Sequence, residues 1–421
     1  MKISQQFRLF LTVFGLLGFG IFLSGCGSAE SGETLRVWAH QGQEAENQAM
    51  REIVASFNEA HAIAGIRAEI EFFPDHQYSE RIAAGAAAGD LPDIMDLDGP
   101  TLARYVDAGL LAPLDDDFSE AELADFLPTI IAQGTIDDRL YALGAFDSAL
   151  VLYYDREILA AAGVTPPNED RPWTWDEFLA ACATLKEAGV DPVSLHMDES
   201  ADEWYTYAFS PVIWSAGGSL MDPDTGRIEG VLNAPENIEA LRQWQQLFAL
   251  DYADNSPVEP NPFGLGKTAM DWSGHWMARS HLEAKREALG AAPLPVVGEH
   301  RAAASGSWAW AMLSTSDRPD VAAKFLRWVV STENGIVPIV RANGAVPARR
   351  SAFEAFPEYE EIPYRLFKRQ LTEHGRPRPQ TPHYPALTRN FAEALRDIAN
   401  GADPAETLTR AATQAQAVAD R

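Results

Sequence analysis

Residues 263–277 read FGLGKTAMDWSGHWM, and two large flat rings, Trp272 and Trp276, sit there among Gly, Ser and His. No helical or strand period of apolar residues runs through the stretch, although a core normally draws its indoles from such runs. The pair therefore either caps a core from an irregular segment or lines a surface meant for something flat and polar. A third indole, Trp308 in SGSWAWAMLSTSD, has a similar Gly/Ser-rich setting. Trp310 follows at strand alternation and shares its side, as a second plate or as a packing residue.

Other chemistries leave little trace. The 9 histidines show no HxH or HExxH spacing, and His275 and His281 do not share a helix face, so no metal site is expected. Gly264-Leu265-Gly266-Lys267-Thr268 ends as a phosphate loop does, but Asn261 stands where that loop requires Gly. Asp222-Pro223-Asp224-Thr225-Gly226 lacks the later bidentate Glu of a calcium loop and reads as a turn. No cofactor and no catalytic residue are expected.

Elements that could position the indoles begin after the N-terminus. Lys2 and Arg8 precede LFLTVFGLLGFGIFL, an apolar run of 15 residues, and then SGCGS. Residues 1–25 thus read as a secretory signal, too short and Gly-rich for a comfortable membrane span. Leu23-Ser24-Gly25-Cys26 resembles the bacterial lipobox, in which cleavage leaves Cys26 to carry a diacylglycerol. Each buried chain CH₂ contributes about 0.8 kcal/mol to such an anchor. Residues 26–33 read as a tether. The expectation is an exported cell-envelope lipoprotein, on the periplasmic side or the outer face of the cytoplasmic membrane.

With Cys26 lipidated, Cys182 has no partner for a disulfide and reads as a small buried hydrophobe. The formal charge of −28 argues against nucleic-acid partners. A mature chain of roughly 395 residues is long enough for two lobes, each with its own core, and a monomer is expected.

From Thr34 the text alternates. Leu35–Trp38 is strand-like, Glu46–Ala60 carries Met50, Ile53, Val54 and Phe57 at helical spacing, and RAEIEFF alternates again. Tyr78–Ala88 is helical and Asp93–Leu97 is a short strand ending at Asp98-Gly99. Such βαβ units build parallel sheets, whose ligands bind beyond the carboxyl ends of strands. The loops after Trp38, Phe73 and Leu97 are therefore the places to look. Later, Thr174 and Glu177 form a capping box that opens a helix, and further helices are expected over 234–251, 319–332 and 386–420.

The ordered pieces LRVWAHQGQEAENQAMREIVASFN, GDLPDIMDLDG, YALGAFDSALVLYYDREILAAAGV, PWTWDEF, WSAGGSLMDPDTG, GKTAMDWSGHWM, GAVPARRSAF and RPRPQTPHYPALTRNFAEAL resemble an extracellular solute-binding protein of a carbohydrate ABC importer. Within that family the chain looks most like the trehalose/maltose-type binders. The resemblance implies an α/β fold of two lobes joined by hinge strands, each lobe a mostly parallel sheet flanked by helices. It places 34–145 and 308–344 in the N-terminal lobe and 146–307 and 345–421 in the C-terminal lobe, with crossings near Ala145, Trp308 and Ala345. The implied partners are a sugar ligand, the transmembrane subunits of a cognate permease, and the membrane through the lipid anchor.

A neutral sugar presents hydroxyls at its rim and C–H patches on its faces, so its site needs flat apolar plates together with carboxylate acceptors and Arg forks. The resemblance puts Trp272, Trp276 and Trp308 in the role of plates. It casts Glu46, Arg81, Asp98, Asp147 and Arg349 as hydroxyl-binding groups, with Glu44, Ser148 and Arg350 as alternates for Glu46, Asp147 and Arg349. Phe146 stands where a Tyr would fit the family. Two rivals remain: a secreted glycoside hydrolase using the Glu46, Asp98 and Asp147 carboxylates, and a receptor of the same fold for a polyamine. The lipobox and the absence of an acid in a pKa-raising context disfavour the first; the Arg candidates disfavour the second.

Overall fold

The computed structural model describes residues 33–197 and 202–421. Cys26, the signal and the tether through residue 32 lie outside them, and Glu33, expected to end the tether, instead begins the first strand. Two sheets, each backed by helices, form two α/β lobes with a cleft between them.

The first sheet runs, in spatial order, Ile66–Phe73, Glu33–His40, Ile94–Asp98, Trp308–Met312 and Ala142–Gly144. Its first three strands are parallel, and Trp308–Met312 is antiparallel to Ile94–Asp98, with Trp308 opposite Asp98. Helix Glu44–Ala60 buries Met50, Ile53, Val54 and Phe57, the stripe expected from the spacing. The parallel βαβ order leaves the carboxyl ends of the strands at His40 and Asp98 on one rim.

The second sheet runs Leu289–Ala292, Leu150–Asp155, Thr268–Gly274 and Asp191–Ser194. Only its last two strands pair in parallel, so this lobe is mixed rather than mostly parallel. Thr174 accepts from Glu177 N and Glu177 returns a bond to Thr174 N, closing the anticipated capping box on helix Trp175–Glu187. Asp222 accepts from the amides of Asp224 and Thr225, which is a turn. The helix expected over 386–420 is two, Tyr384–Ala399 and Pro404–Ala419, separated at Gly401 with φ of 95° and recapped by Asp403.

Between the sheets, Phe146–Asp147 pairs antiparallel with Val346–Pro347, and Ala303–Ser305 pairs in parallel with Gly375–Pro377. These short ribbons deliver Phe146, Ser148, residues 306–308 and Arg378 to the cleft. No helix among the described residues is long and apolar enough to cross a membrane.

Candidate ligand-binding cleft

Strand ends and helix starts converge on a cavity of about 690 Å³. From the first sheet come His40, Asp98 and Trp308, and from the first turn of the next helix comes Glu46. From the far side come Glu203, Trp204 and Tyr207, which helix Asp202–Ser215 presents within its first turns, with Trp276, Arg378, Tyr384 and Thr388. Phe146, Ser148, Gly306 and Ser307 line it where the chain passes between lobes.

Two of the three anticipated plates face this cavity. Trp308 is stacked on His40 with ring centroids 3.7 Å apart and planes at 7°, so one face is backed and the other borders the cleft. His40 is itself fixed by Asp96, which its Nδ1 meets at 2.6 Å. Trp276 meets Trp204 edge-on at 6.1 Å and Tyr207 at 6.2 Å, an aromatic corner on the opposite wall. Gly274 permits this: a Cβ there would lie 2.2 Å from the Trp276 ring.

Trp272 corrects the expectation. The segment read as irregular is strand Thr268–Gly274, buried along its whole length, and Trp272 is fully buried against Phe209 with its Nε1–H donating to Ala208 O at 3.1 Å. Asp271 points to the other face, where its two oxygens meet His196 and His281, each at 2.8 Å. A strand covered on both faces shows no apolar alternation, which is why the sequence reads as a turn. Trp272→Ala should therefore cost about 3–5 kcal/mol of stability and leave ligand affinity of the folded fraction unchanged, as a denaturant melt and a titration would show. Trp310 is also core, 4% exposed and edge-on to Phe325 at 6.3 Å.

The polar candidates divide. Glu46 lines the cleft and accepts from Asn343 Nδ2 at 3.2 Å, whereas Glu44 is exposed and pairs with Arg51. Asp98 lines it too, as the carboxyl end of its strand suggests. Arg81 does not: its guanidinium lies 3.9 Å over the Trp38 ring and 3.6 Å from Asp90. Arg349 also lies elsewhere, donating to Val330 O and Glu122 O, close to Asp125 and 4.1 Å over Phe126, while Arg350 is exposed.

Asp147 is fully buried and faces away from the cavity. It accepts from Ser148 N at 2.8 Å, Gly306 N at 3.1 Å and Gln133 Nε2 at 3.3 Å, so it ties the passages between lobes together. Burial holds its carboxyl above the ordinary range against those bonds. Ser148, the alternate, lines the cleft instead, with its hydroxyl 2.9 Å from Tyr207 OH and 3.1 Å from His275 Nδ1. Burial pushes His275 down to about 3, so it stays neutral.

The cation missing from the sequence reading is Arg378. Its Nη2 and Nη1 bond Asp98 at 2.9 and 3.2 Å, its Nη1 also pairs with Glu203, and its plane lies over Tyr207 at 4.9 Å. Glu203 further accepts from Tyr384 OH at 2.6 Å and Thr388 Oγ1 at 3.2 Å. Gly306 makes the approach possible, since a Cβ there would sit 2.3 Å from Arg378 Nη2. The i, i+4 spacing of Tyr384 and Thr388, and of Glu203 and Tyr207, was the available signal; Arg378 lies in an extended Pro-flanked segment that advertises nothing.

Burial, joined by the nearby Asp98 charge and opposed by Arg378, pushes Glu203 up to about 7 from an ordinary 4.5. Contrary to the sequence reading, an acid with a raised pKa does occupy the cleft. Between those two values the folded chain holds a proton that the unfolded chain releases. Glu203 thus contributes stability below pH 4.5 that is lost as pH rises through 7. Melting temperatures taken from pH 5 to 8 should fall less steeply in Glu203→Gln than in the unaltered protein.

The family described as bacterial extracellular solute-binding protein matches residues 41–336. A putative binding protein of Brucella abortus (strain 2308) is 24% identical over 236 residues, 55% of this chain and 54% of that one, so the chain spans about half the length of such curated relatives. The maltodextrin-binding protein MdxE of Bacillus subtilis (strain 168) is 23% identical over 404 residues, 92% and 91% of the two chains. Among solved structures, the cyclic alpha-maltosyl-1,6-maltose binding protein from Arthrobacter globiformis superimposes with a TM-score of 0.76 at 25% identity, covering 91% of this chain and 98% of that chain.

Proposed function

The chain belongs to the bacterial extracellular solute-binding protein family, and from that premise we propose that it captures a neutral oligosaccharide for an ABC-type importer. The ligand of choice in this reading is a disaccharide with an α-linked glucose, such as trehalose or maltose. One observation carries it: Trp308 and Trp276 border a cleft whose acceptors and donors, Glu46, Asp98, Glu203 and Arg378, come from both of its walls. Apolar plates with a few converging charged groups match the two surfaces of a sugar ring. The names of two relatives, one for maltodextrin and one for a cyclic maltosyl-maltose, point to α-linked glucose as well.

In this reading the lobes 34–145 with 308–344 and 146–307 with 345–421 close on the sugar about the crossing segments, and a permease senses the closed form. Export and a lipid anchor at Cys26 complete the picture, resting on the Leu23–Cys26 pattern. Both oxygens of Glu203 are engaged by protein donors, which suits a structural acceptor better than a proton donor to a glycosidic bond.

A thermal-shift screen over glucose, trehalose, maltose, maltotriose and spermidine tests the proposal. A ligand of the folded form present at 100 times its Kd adds about 2.7 kcal/mol. The largest shift is expected with an α-glucoside disaccharide, recovered unchanged. Shifts with spermidine and with no sugar would overturn the cargo, and sugar turnover would overturn the receptor role.

A further inference from the structure

The chain has 61 Asp and Glu against 33 Lys and Arg, so a recess walled by two arginines and no acid stands out. One lies apart from the cleft. It measures about 340 Å³ and is bounded by Trp214, Gly217, His300, Arg301, His374 and Arg376, with Ala302. No carboxylate belongs to its wall among the described residues.

Its basic side chains come from separate segments. Strand Gly375–Pro377 carries Arg376, helix Tyr364–His374 ends in His374, and residues 300–301 precede strand Ala303–Ser305. The parallel pairing that sets Arg376 opposite Ala304 draws these segments together. Arg376 lies 4.9 Å over the Trp214 ring and donates from Nη2 to Ser219 Oγ at 3.3 Å, while Arg301 Nη2 donates to the main-chain oxygen of Asp170. These partners orient the guanidinium groups without cancelling their charge. His374 Nε2 is buried with no hydrogen bond, and it stands 3.7 Å from the carboxylate of Glu373, which lies outside the recess wall. Burial holds Arg376 below its ordinary value with no acid acting against it, and burial with the Arg301 charge lowers His374 against the pull of Glu373.

Oriented guanidinium forks around a recess with no acid in its wall suit an oxyanion. We propose that this recess is a second binding site, separate from the cleft, for a phosphate-type oxyanion. The phosphate is either free or the end of a small monoester, for which the recess has room.

The test titrates the exported protein, without its signal, with sodium phosphate and with glycerol phosphate, using sodium chloride of matched ionic strength as reference. Saturable stabilisation by phosphate but not chloride is expected, weakened at least tenfold in Arg376→Gln and less in Arg376→Lys, with sugar binding unchanged in both. Arg301→Gln, at the other arginine of the recess wall, serves as a second variant should Arg376→Gln not fold, with phosphate binding again weakened. Tighter binding of the monoester assigns the site to phosphorylated small molecules, and equal or weaker binding assigns it to free phosphate. Equal responses to phosphate and chloride, or an undiminished phosphate response in the Arg301→Gln/Arg376→Gln double variant, overturns the proposal.

Discussion

Trp308→Ala is expected to weaken binding of the proposed sugar by roughly 30- to 150-fold while leaving a cooperative melt. An aromatic side chain buried by a ligand contributes about 2–3 kcal/mol, and each 1.4 kcal/mol is a tenfold change in affinity. The effect falls on the ligand rather than the fold because Trp308 opens its strand and is only partly buried, one ring face stacked on His40. Its backbone pairing with Asp98 survives the substitution. Calorimetric titration beside a thermal melt separates the outcomes: lost affinity with an intact melt is expected, and a lost melt would make Trp308 a core residue.

Arg378→Ala is expected to harm both stability and binding. The guanidinium holds Asp98 from one wall and Glu203 from the other, and both carboxylates would remain without their cation. Breaking a buried pair by removing one partner costs about 3–5 kcal/mol, chiefly for the charge left behind. Denaturant unfolding should show that loss. Adding Asp98→Asn and Glu203→Gln to the variant should restore part of the stability, since groups in one network are not additive. A triple variant no more stable than the single one would mean that Arg378 acts through packing on Tyr207 instead.

Much of this architecture was legible from residue order. The βαβ rhythm of residues 34–108 located the rim where His40, Glu46 and Asp98 stand, because parallel strands must present their carboxyl ends together. Trp276 and Trp308 were legible because each stands at a strand boundary beside a Gly or Ser that leaves room for a ring. Trp272 was not: a strand buried on both faces carries Asp271 and Ser273 inside the protein, which masks the alternation. The cationic side was misplaced from Arg378 to Arg81 and Arg349. All three lie on aromatic rings beside an acid, and only tertiary placement shows which of them faces the cleft. Asp147 failed for a related reason, since buried carboxylates that tie backbone amides and carboxylates that meet a ligand have the same local sequence signature.

Calorimetric titration of the protein lacking residues 1–25 with maltose and trehalose addresses the central claim most directly. A 1:1 exothermic isotherm with at least one of them is predicted, greatly weakened in Trp276→Ala and Trp308→Ala, unchanged in Trp310→Phe, and with the sugar recovered intact. Heat that persists in both cleft variants, or the absence of heat with any neutral sugar, would contradict it.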